Sequence, residues 1–246
     1  MTLCAIAPPE TMLPREIQVT TAGRSRPLAA LPSPLDLDAL VPSAGPWEME
    51  IGFGKGRFLL AQAAACPERR FLGIERAGKY FRLAAARAGR RGLGNLLLLE
   101  GEALFVLATA LPGAFAQAIH IYFPDPWPKA RHHRRRLLDA ESVDLVLRAL
   151  TPGGCLFFAT DFLPYGERVR EVLASHGALS VSEIEVGWPE GPRTNYEAKY
   201  VAEGRSIVRL EARTAAGAPG LHPRGAPWVL AATAPDPVGG PREEAR

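Results

Sequence analysis

The chain has 246 residues and a mass of 26.5 kDa, and its 29 Lys and Arg against 26 Asp and Glu give a formal charge of +3. Hydrophobic residues make up 47% and charged residues 22% of the sequence, which excludes wholesale disorder, a collagen-like chain and a coiled coil. A net charge this small does not by itself indicate a polyanionic partner.

Three sequence features bear on location and metal content. No apolar run is long enough to span a bilayer, and the amino-terminal segment lacks the basic flank and apolar stretch of a secretory signal. The cysteines Cys4, Cys66 and Cys155 are widely separated and form no C-x-x-C pair, so they favour neither a disulfide framework nor a zinc site. We therefore expect a cytoplasmic protein without a membrane span or a metal.

Proline divides the chain into three parts. Fourteen of the 23 prolines lie in residues 1–47 and 213–246, and proline is excluded from helix interiors and central strands. We therefore predict a Pro-rich amino-terminal arm over residues 1–47, one domain over residues 48–212, and a loosely ordered Pro-, Gly- and Ala-rich tail over residues 213–246.

Within the domain, short apolar runs alternate with helical periods. The predicted strands are Trp47–Ile51, Phe71–Glu75, Asn95–Glu100, Ala118–Phe123, Gly154–Asp161, Ser180–Val186 and Ile207–Ala212. The predicted helices are Arg57–Cys66, Lys79–Arg90, Ala103–Ala110, Asp139–Leu150 and Tyr165–His176. This alternation predicts an α/β fold with a doubly wound, mostly parallel seven-stranded sheet. The last two strands have no clear helix between them and predict an antiparallel hairpin at the sheet edge.

Chemically distinctive residues follow the predicted strands, where open α/β sheets bind their ligands. The first strand leads into Glu50-Ile51-Gly52-Phe53-Gly54-Lys55-Gly56, and Glu75, Glu102 and Asp161 stand at later strand ends. Arg57 occupies the place of the third glycine of a dinucleotide-binding loop, which makes an NAD oxidoreductase the weakest alternative. The pattern E-x-G-x-G-x-G instead resembles the first motif of class I S-adenosylmethionine-dependent methyltransferases. Acidic side chains suit that cofactor, which carries two cationic groups and a ribose diol but no phosphate.

The segment after the fourth strand is Pro124-Asp125-Pro126-Trp127-Pro128-Lys129. Three prolines in five residues stiffen the loop, and it resembles the D/N-P-P-Y/W loop of amino-group methyltransferases. The stretch from Lys129 to Arg136 then carries five cations and two histidines, which indicates contact with a polyphosphate. His132 and His133 lack nearby partners at zinc-ligand spacing.

A second group of cations lies earlier in the chain, around the second predicted strand-helix unit. It consists of Arg69, Arg70, Arg76, Lys79, Arg82, Arg87, Arg90 and Arg91. The sequence leaves two interpretations open: this group extends the basic surface, or its helix presents an ordinary exposed face.

Together, the strings EIGFGKGRFL, FLGIE, YFPDPWPKARHHRRRL, GGCLFFATD and GPRTNYE resemble the bacterial tRNA (guanine-N7)-methyltransferase family. The resemblance implies a Rossmann-like class I fold, S-adenosylmethionine as cofactor, and methylation of guanine N7 at position 46 of the tRNA variable loop. It implies Asp125 as the catalytic residue. The implied cofactor residues are Glu50, Gly52, Gly54, Glu75, Glu102 and Asp125. The implied substrate residues are Lys129, Asp161, Thr194, Asn195, Tyr196 and Glu197. The implied tRNA contacts are Arg131, His132, His133, Arg134, Arg135 and Arg136.

Two departures and several alternatives accompany the resemblance. The family usually has Asp where Glu102 stands, and its late motif often reads T-K-F-E, whereas Asn195 and Tyr196 occupy the middle here. The alternative functions are another nucleic-acid or protein N-methyltransferase and a catalytically silent RNA-binding module. The sequence leaves open whether the protein is a monomer or a homodimer.

Overall fold

The computed structural model describes residues 18–21, 24–27, 31, 33–177 and 179–214. The strands are β1 Gln18–Thr21, β2 Arg24–Pro27, β3 Trp47–Ile51, β4 Arg70–Glu75, β5 Leu96–Glu100, β6 Ala116–Tyr122, β7 Leu150–Thr160, β8 Leu179–Glu183 and β9 Val208–Thr214. The helices are α1 Leu37–Leu40, α2 Arg57–Ala65, α3 Gly78–Arg90, α4 Ala103–Thr109, α5 Val143–Leu147, α6 Leu163–Ser175 and α7 Asn195–Ala202, with a 3-10 helix at Ala130–Arg135.

The described strands form one sheet in the order β2-β1-β5-β4-β3-β6-β7-β9-β8. Strands β3 to β7 are parallel to one another, so their carboxyl ends share one edge. The chain moves outward from β3 to β4 and β5 and then crosses back to β6 on the other side of β3. This reversal of strand order at β3 opens the crevice in which doubly wound folds bind ligands. The predicted α/β class and parallel sheet are confirmed.

Both faces of the sheet are covered, as alternating side chains require. Helices α2 and α3 pack on one face through residues such as Leu59, Leu60 and Phe81. Helices α4, α5 and α6 pack on the other face, where Val106, Val146 and other apolar side chains form the largest core cluster. Within the described ranges, no helix combines the length and apolar character needed to cross a membrane.

The amino-terminal segment contains structure that the proline pattern did not predict. β1 and β2 pair with each other, and β1 also pairs antiparallel with β5, which adds two strands to the seven predicted. Val19, Leu35, Leu37 and Val41 are buried in the main core. Residues 1–17 of the predicted arm, and residues 215–246 of the predicted tail, lie outside the described residues. The domain boundaries stay a prediction.

The carboxyl-terminal strands differ from the expected hairpin in one respect. β9 pairs antiparallel with both β7 and β8, which confirms the antiparallel ending. Helix α7 lies between β8 and β9, so the expectation of a direct connection was wrong. Glu197 is the buried residue of α7, and a helix without an apolar stripe leaves little periodicity to read. Helix α5 is likewise shorter than the predicted Asp139–Leu150.

Candidate active site

The glycine-rich loop after β3 opens toward the crevice. Gly52 and Gly54 have φ angles of 76° and 52°, in the left-handed region that side chains disfavour. A Cβ built on either glycine would meet no described atom within 4 Å, so the loop is open on that side. Phe53 between them is buried in the core under α2 and α3 and fixes the loop to the sheet. The loop thus offers close approach to its backbone.

Glu50 is a buried acid at the carboxyl end of β3. Its side chain is 3% exposed, and burial, with a smaller contribution from the charge on Glu75, raises the pKa of Glu50 to about 8. Within the described part of the chain, its buried Oε2 atom has no hydrogen-bond partner. A buried oxygen without a partner costs about 1–3 kcal/mol, and a ligand carrying N–H groups or positive charge would remove that cost.

Glu75, at the end of β4, lies in contact with the same loop. Its Oε2 atom accepts a hydrogen bond from the Gly54 backbone N–H at 2.8 Å, and its Oε1 atom accepts one from Ala77 N–H at 2.8 Å. Each carboxylate oxygen has a second lone pair, so this geometry still allows hydroxyl donors to bind. Glu102 is exposed and caps α4, because its Oε2 atom accepts from Phe105 N–H at 2.9 Å.

The Pro124–Lys129 segment is held in a strained conformation beside this edge. Phe123 and Trp127 have φ angles of 52° and 42°, which costs on the order of 1–3 kcal/mol per residue and is a feature that clusters at functional sites. The Arg136 Nε–H donates to the Pro126 carbonyl at 2.9 Å, and the Arg135 guanidinium lies 4.9 Å from the Trp127 ring centre. These contacts fix the loop and leave the Asp125 side chain 72% exposed.

The predicted RNA contacts divide into two groups. Arg131, His133 and Arg134 are exposed on the 3-10 helix. In contrast, the His132 ring packs edge-on against Trp127 at 5.7 Å. Arg136 is 8% exposed and lies 4.8 Å from the Tyr165 ring centre. Arg136 therefore holds the loop from inside, and the geometry does not favour its direct contact with a phosphate. Lys129 is exposed at the start of this helix.

The segment Thr194–Glu197 begins α7, and three of its four residues are engaged within the protein. Thr194 Oγ1 caps the helix by accepting from Glu197 N–H at 3.0 Å. Asn195 Oδ1 accepts from Arg57 Nη1 at 3.0 Å. Glu197 is 1% exposed and accepts from Arg209 Nε at 2.7 Å and from Arg193 N–H at 2.8 Å. The buried Glu197 thus secures the segment to β9.

Tyr196 is the exposed member of the segment, at 57%. Its ring centre lies 6.5 Å from that of Phe123 and 6.1 Å from that of Tyr200. We call these three rings the aromatic surface. Beside it, Arg205 lies 4.4 Å from the Tyr200 ring centre and donates to Asp161 Oδ2 at 3.1 Å. Asp161 is therefore paired with a cation that the sequence analysis did not single out.

Beneath the segment, Arg193 is buried at 3% exposure among aromatic rings. Its guanidinium lies 3.9 Å from the Trp188 ring centre and donates to Glu190 and to the Tyr122 hydroxyl, each at 2.5 Å. The Tyr122 hydroxyl lies 2.8 Å from His120 Nδ1. Burial lowers the pKa of His120, which favours a neutral ring whose Nε2–H donates to Glu48 and whose Nδ1 accepts a hydrogen bond from the Tyr122 hydroxyl. Sequence patterns do not predict this network, because an Arg between Pro and Thr is typical of a surface loop.

Contacts among these loops bring several of the predicted residues together. Glu75 binds the glycine-rich loop, and Arg57, which follows that loop, binds Asn195. The Arg76 guanidinium lies 4.0 Å from Asp125. Among the residues whose positions are described, no three His, Cys, Asp or Glu side chains are grouped as metal ligands. Glu102 and Lys129 are near the site in sequence, but no side-chain contact joins them to these loops in the described ranges.

Comparisons with known proteins decide the family. Residues 44–210 match the family model for "Putative methyltransferase". The tRNA (guanine-N(7)-)-methyltransferase of Nitrosococcus oceani is 42% identical over 179 residues, which are 72% of this chain and 75% of that protein. The enzyme of the same name from Treponema pallidum is 42% identical over 194 residues, 77% of this chain and 76% of the relative. The chain belongs to the tRNA (guanine-N7)-methyltransferase family. The resemblance seen in the sequence motifs is confirmed.

A methyltransferase of known structure has the same fold as this chain. It is a variant of the 16S rRNA (adenine(1408)-N(1))-methyltransferase from Catenulisporales acidiphilia, crystallised with its cosubstrate SAM. The TM-score is 0.54 at 18% sequence identity, over 82% of this chain and 98% of that one. The likeness supports the class I methyltransferase architecture.

Asn195, one of the two departures from the family motif, has a hydrogen-bond partner in the structure. The family often has Lys at this position, which would bring a second cation toward the Arg57 guanidinium. Asn195 instead accepts a hydrogen bond from Arg57 at 3.0 Å, so the substitution links α2 to α7. The longer Glu102 side chain forms the helix cap described above.

The exposed cations of the 3-10 helix give a first prediction. We expect the double variant Arg131→Ala, Arg134→Ala to bind tRNA more weakly. The slope of log affinity against log salt should fall in magnitude by about 1 to 2, because binding with fewer phosphate contacts releases fewer counterions. Filter binding across a NaCl series measures this slope. Arg136→Ala is the contrasting variant: it should lower the melting temperature and turnover. An unchanged slope in the double variant would assign Arg131 and Arg134 to an ordinary solvated face.

Proposed function

We propose that this enzyme transfers the methyl group of S-adenosylmethionine to N7 of a guanine in tRNA, at position 46 of the variable loop. The observation that carries the proposal is that the buried Glu50 carboxyl and the strained loop that presents Asp125 belong to the same end of the neighbouring parallel strands β3 and β6. Because tRNA is the substrate, we also propose that the enzyme acts in the cytoplasm.

The residues at this edge fit the cofactor. The unpartnered Glu50 oxygen suits the cationic end of S-adenosylmethionine, and Glu75 has lone pairs for the ribose hydroxyls. In our proposal Glu102 accepts from the adenine amino group, and the open backbone at Gly52 and Gly54 allows the cofactor to approach. When bound, the cofactor supplies a methyl group on a positively charged sulfur.

Guanine N7 carries an in-plane lone pair and no proton, so the enzyme has no proton to remove before attack. A bond forms between N7 and the methyl carbon as the carbon–sulfur bond breaks, and the positive charge passes from sulfur to the base. The site must therefore orient the base in line with the methyl group. In our proposal Asp125 accepts hydrogen bonds from the guanine N1–H and amino group and stabilises the developing charge.

The aromatic surface is suited to hold the base during transfer. Enzymes that modify a base in folded RNA take it out of its stack and hold it by its face, and Tyr196 offers an exposed ring next to Phe123.

We expect Tyr196→Ala to raise the KM for tRNA about tenfold, since stacking contributes about 1–3 kcal/mol per base. Tyr196→Phe keeps the ring and should remain within about twofold of the parent.

Steady-state kinetics with saturating cofactor measure these two variants. Val201→Ala, at a 49% exposed apolar position of the same helix, is the control for a general loss of exposed apolar surface. Equal KM values for Tyr196→Ala and Val201→Ala would contradict the stacking role.

A methyltransferase that acts on an exocyclic amine is the second candidate, because Pro124–Trp127 resembles the loop of those enzymes. Such a transfer requires loss of an amine proton, and the exposed Asp125 would then be the proton acceptor. The two reactions place the methyl group on different atoms of the nucleoside.

Mass mapping of modified nucleosides tests the function directly. Unmodified tRNA is incubated with enzyme and S-adenosylmethionine, digested, and analysed for 7-methylguanosine and for its position in the chain. We expect one 7-methylguanosine per tRNA in the variable loop, and none when that guanine is replaced by adenine. An N-methylated amine would favour the second candidate, and failure to bind S-adenosylmethionine would favour a silent RNA-binding module.

A further inference from the structure

Helix α3 carries a line of cations that the mechanism above does not use. Lys79, Arg82 and Arg90 are exposed, and at 100° per residue they fall within about 80° of one another around the helix. Phe81, Ala84 and Ala88 lie on the opposite side and are buried in the core. The helix therefore presents a cationic face to solvent for about 16 Å of its length. We call Arg76, Lys79, Arg82 and Arg90 the α3 stripe.

The charges of the α3 stripe are poorly balanced by acids. The sequence of α3, GKYFRLAAARAGR, contains no acidic residue. Over the described ranges, no carboxylate lies within 4 Å of a side-chain nitrogen of Lys79, Arg82 or Arg90. Glu100 and Arg82 both approach Gly78, so the charge of Arg82 is partly offset, as is that of Arg76, which lies 4.0 Å from Asp125.

Helix α6 has the same length and shows the opposite arrangement. Its Arg168 pairs with Glu171 at 3.1 Å, and its Arg170 pairs with Glu167 and lies 3.6 Å from Glu183. The cations Arg168 and Arg170 of α6 are thus paired with carboxylates, whereas Lys79 and Arg90 of α3 have no carboxylate within 4 Å in the described ranges. An abundance of arginine in the chain does not explain that contrast.

The α3 stripe is continuous with the candidate active site. Its first member, Arg76, lies 4.0 Å from Asp125, and the helix then runs from the carboxyl edge of the sheet toward the opposite edge, because it follows β4 and returns the chain to β5. A polyanion whose target base lay at Asp125 could therefore continue along α3. This is a different direction from the 3-10 helix, which follows the Asp125 loop on the β6 side.

We propose that the α3 stripe binds the sugar-phosphate backbone of the tRNA outside the nucleotide that enters the active site. The proposal rests on the proposed function for its choice of polyanion. The stripe would then contribute to the affinity for whole tRNA and not to the chemical step, because its members beyond Arg76 contact none of the residues assigned to the reaction.

The test compares two double variants that remove the same charge. Lys79→Gln, Arg90→Gln removes two cations of the α3 stripe, and Arg168→Gln, Arg170→Gln removes two from α6. Binding of tRNA is measured over a NaCl series, and methyl transfer is measured with full-length tRNA and with a short RNA hairpin that contains the target loop.

For the α3 variant we expect the KM for tRNA to rise about fivefold to tenfold and the salt slope to fall by about 1 to 2. Its kcat, its activity on the hairpin and its affinity for S-adenosylmethionine should stay within twofold of the parent. The α6 variant should leave all of these values within twofold. A salt slope equal to that of the α6 variant, or an equal loss on the hairpin and the full tRNA, would overturn the proposal.

Failure of the proposed function would give a different result. An enzyme that transferred no methyl group to tRNA would contradict the function, whereas the difference in tRNA salt slope between the two variants would still decide the role of the stripe. Binding of the parent protein to phosphatidylglycerol vesicles, lost in the α3 variant while its tRNA binding stays unchanged, would assign the stripe to a lipid surface and overturn the RNA proposal.

Discussion

Replacing Asp125 by asparagine is expected to lower kcat by about 100-fold to 1,000-fold, the usual effect of removing one group that stabilises charge in a transition state. The side chain is 72% exposed beside the crevice, so its shape can change without disturbing the core. In the proposed mechanism the carboxylate accepts from both donors of the guanine edge, whereas asparagine has an NH₂ donor in place of one of the two oxygens. The negative charge of the carboxylate, which offsets the charge that develops on the base, is also lost.

The same variant should bind S-adenosylmethionine within about threefold of the parent, because Glu50, Glu75 and the glycine-rich loop are unchanged. Asp144→Asn is the matched control: Asp144 is an exposed acid on α5 that lies 3.2 Å from His176, and its replacement should leave kcat unchanged. Single-turnover methyl transfer and cofactor titration separate the two properties. Near-normal turnover of Asp125→Asn would remove Asp125 from the mechanism.

The sequence predicts correctly those parts of the fold in which the residue type depends on local structure alone, such as buried strands and tight turns. Strands β3 to β7 are apolar runs buried on both faces, and the turns between them carry glycine and proline. Because parallel strands end at one edge, the sequence predicts that the acids Glu50 and Glu75 lie close together. In the structure β3 and β4 are paired and parallel, and Glu75 accepts a hydrogen bond from Gly54 in the loop that follows β3. Strand-end position was therefore more informative than overall charge.

Other features depend on contacts between distant parts of the chain. β1 and β2 have four residues each, and β2 ends on Pro27, so their pairing with the sheet edge is a tertiary effect without a local pattern. Glu197 was assigned to the substrate by resemblance, yet it is buried against Arg209. Nothing local distinguishes a carboxylate that binds RNA from one that binds a buried arginine on the next strand.

Arg136 illustrates the same limit within a single motif. In the sequence it is one of five cations between Lys129 and Arg136, all of which suit a phosphate. In the structure the chain leaves the 3-10 helix at Arg136 and turns its side chain under Pro126 and over Tyr165. The turn that separates Arg136 from Arg134 is set by packing against α6, which the order of charges does not encode.

The buried acid Glu50 should make the stability of the protein depend on pH. Its pKa of about 8 is above the ordinary value of 4.5, so between these two pH values the folded protein holds a proton that the unfolded chain has released. Stability without cofactor therefore falls as the pH rises from about 4.5 to 8, by at most about 1.4 kcal/mol per pH unit from this group. Glutamine has a similar shape and no titration, so Glu50→Gln should avoid that loss.

We expect the melting temperature of Glu50→Gln to equal that of the parent near pH 5 and to exceed it by on the order of 5 °C at pH 8. S-adenosylmethionine should reverse the order. In the proposed function the ionised Glu50 binds the cationic end of the cofactor, so the parent should gain stability on binding and release a proton near neutral pH, whereas the variant should gain little. Thermal unfolding at pH 5.5, 7 and 8.5, with and without cofactor, measures both effects.

Glu75→Gln separates this behaviour from the loss of any acid in the crevice. Glu75 accepts hydrogen bonds from two backbone N–H groups, and glutamine keeps one acceptor oxygen but places an N–H₂ group against the other donor. This variant should therefore be less stable than the parent at every pH. If Glu50→Gln were also destabilised at pH 8, or kept the full stabilisation by S-adenosylmethionine, Glu50 would be a structural acid. If Glu50→Gln is more stable than the parent without cofactor and is not stabilised by S-adenosylmethionine, then the burial of Glu50 lowers the stability of the fold and serves to bind the cationic cofactor.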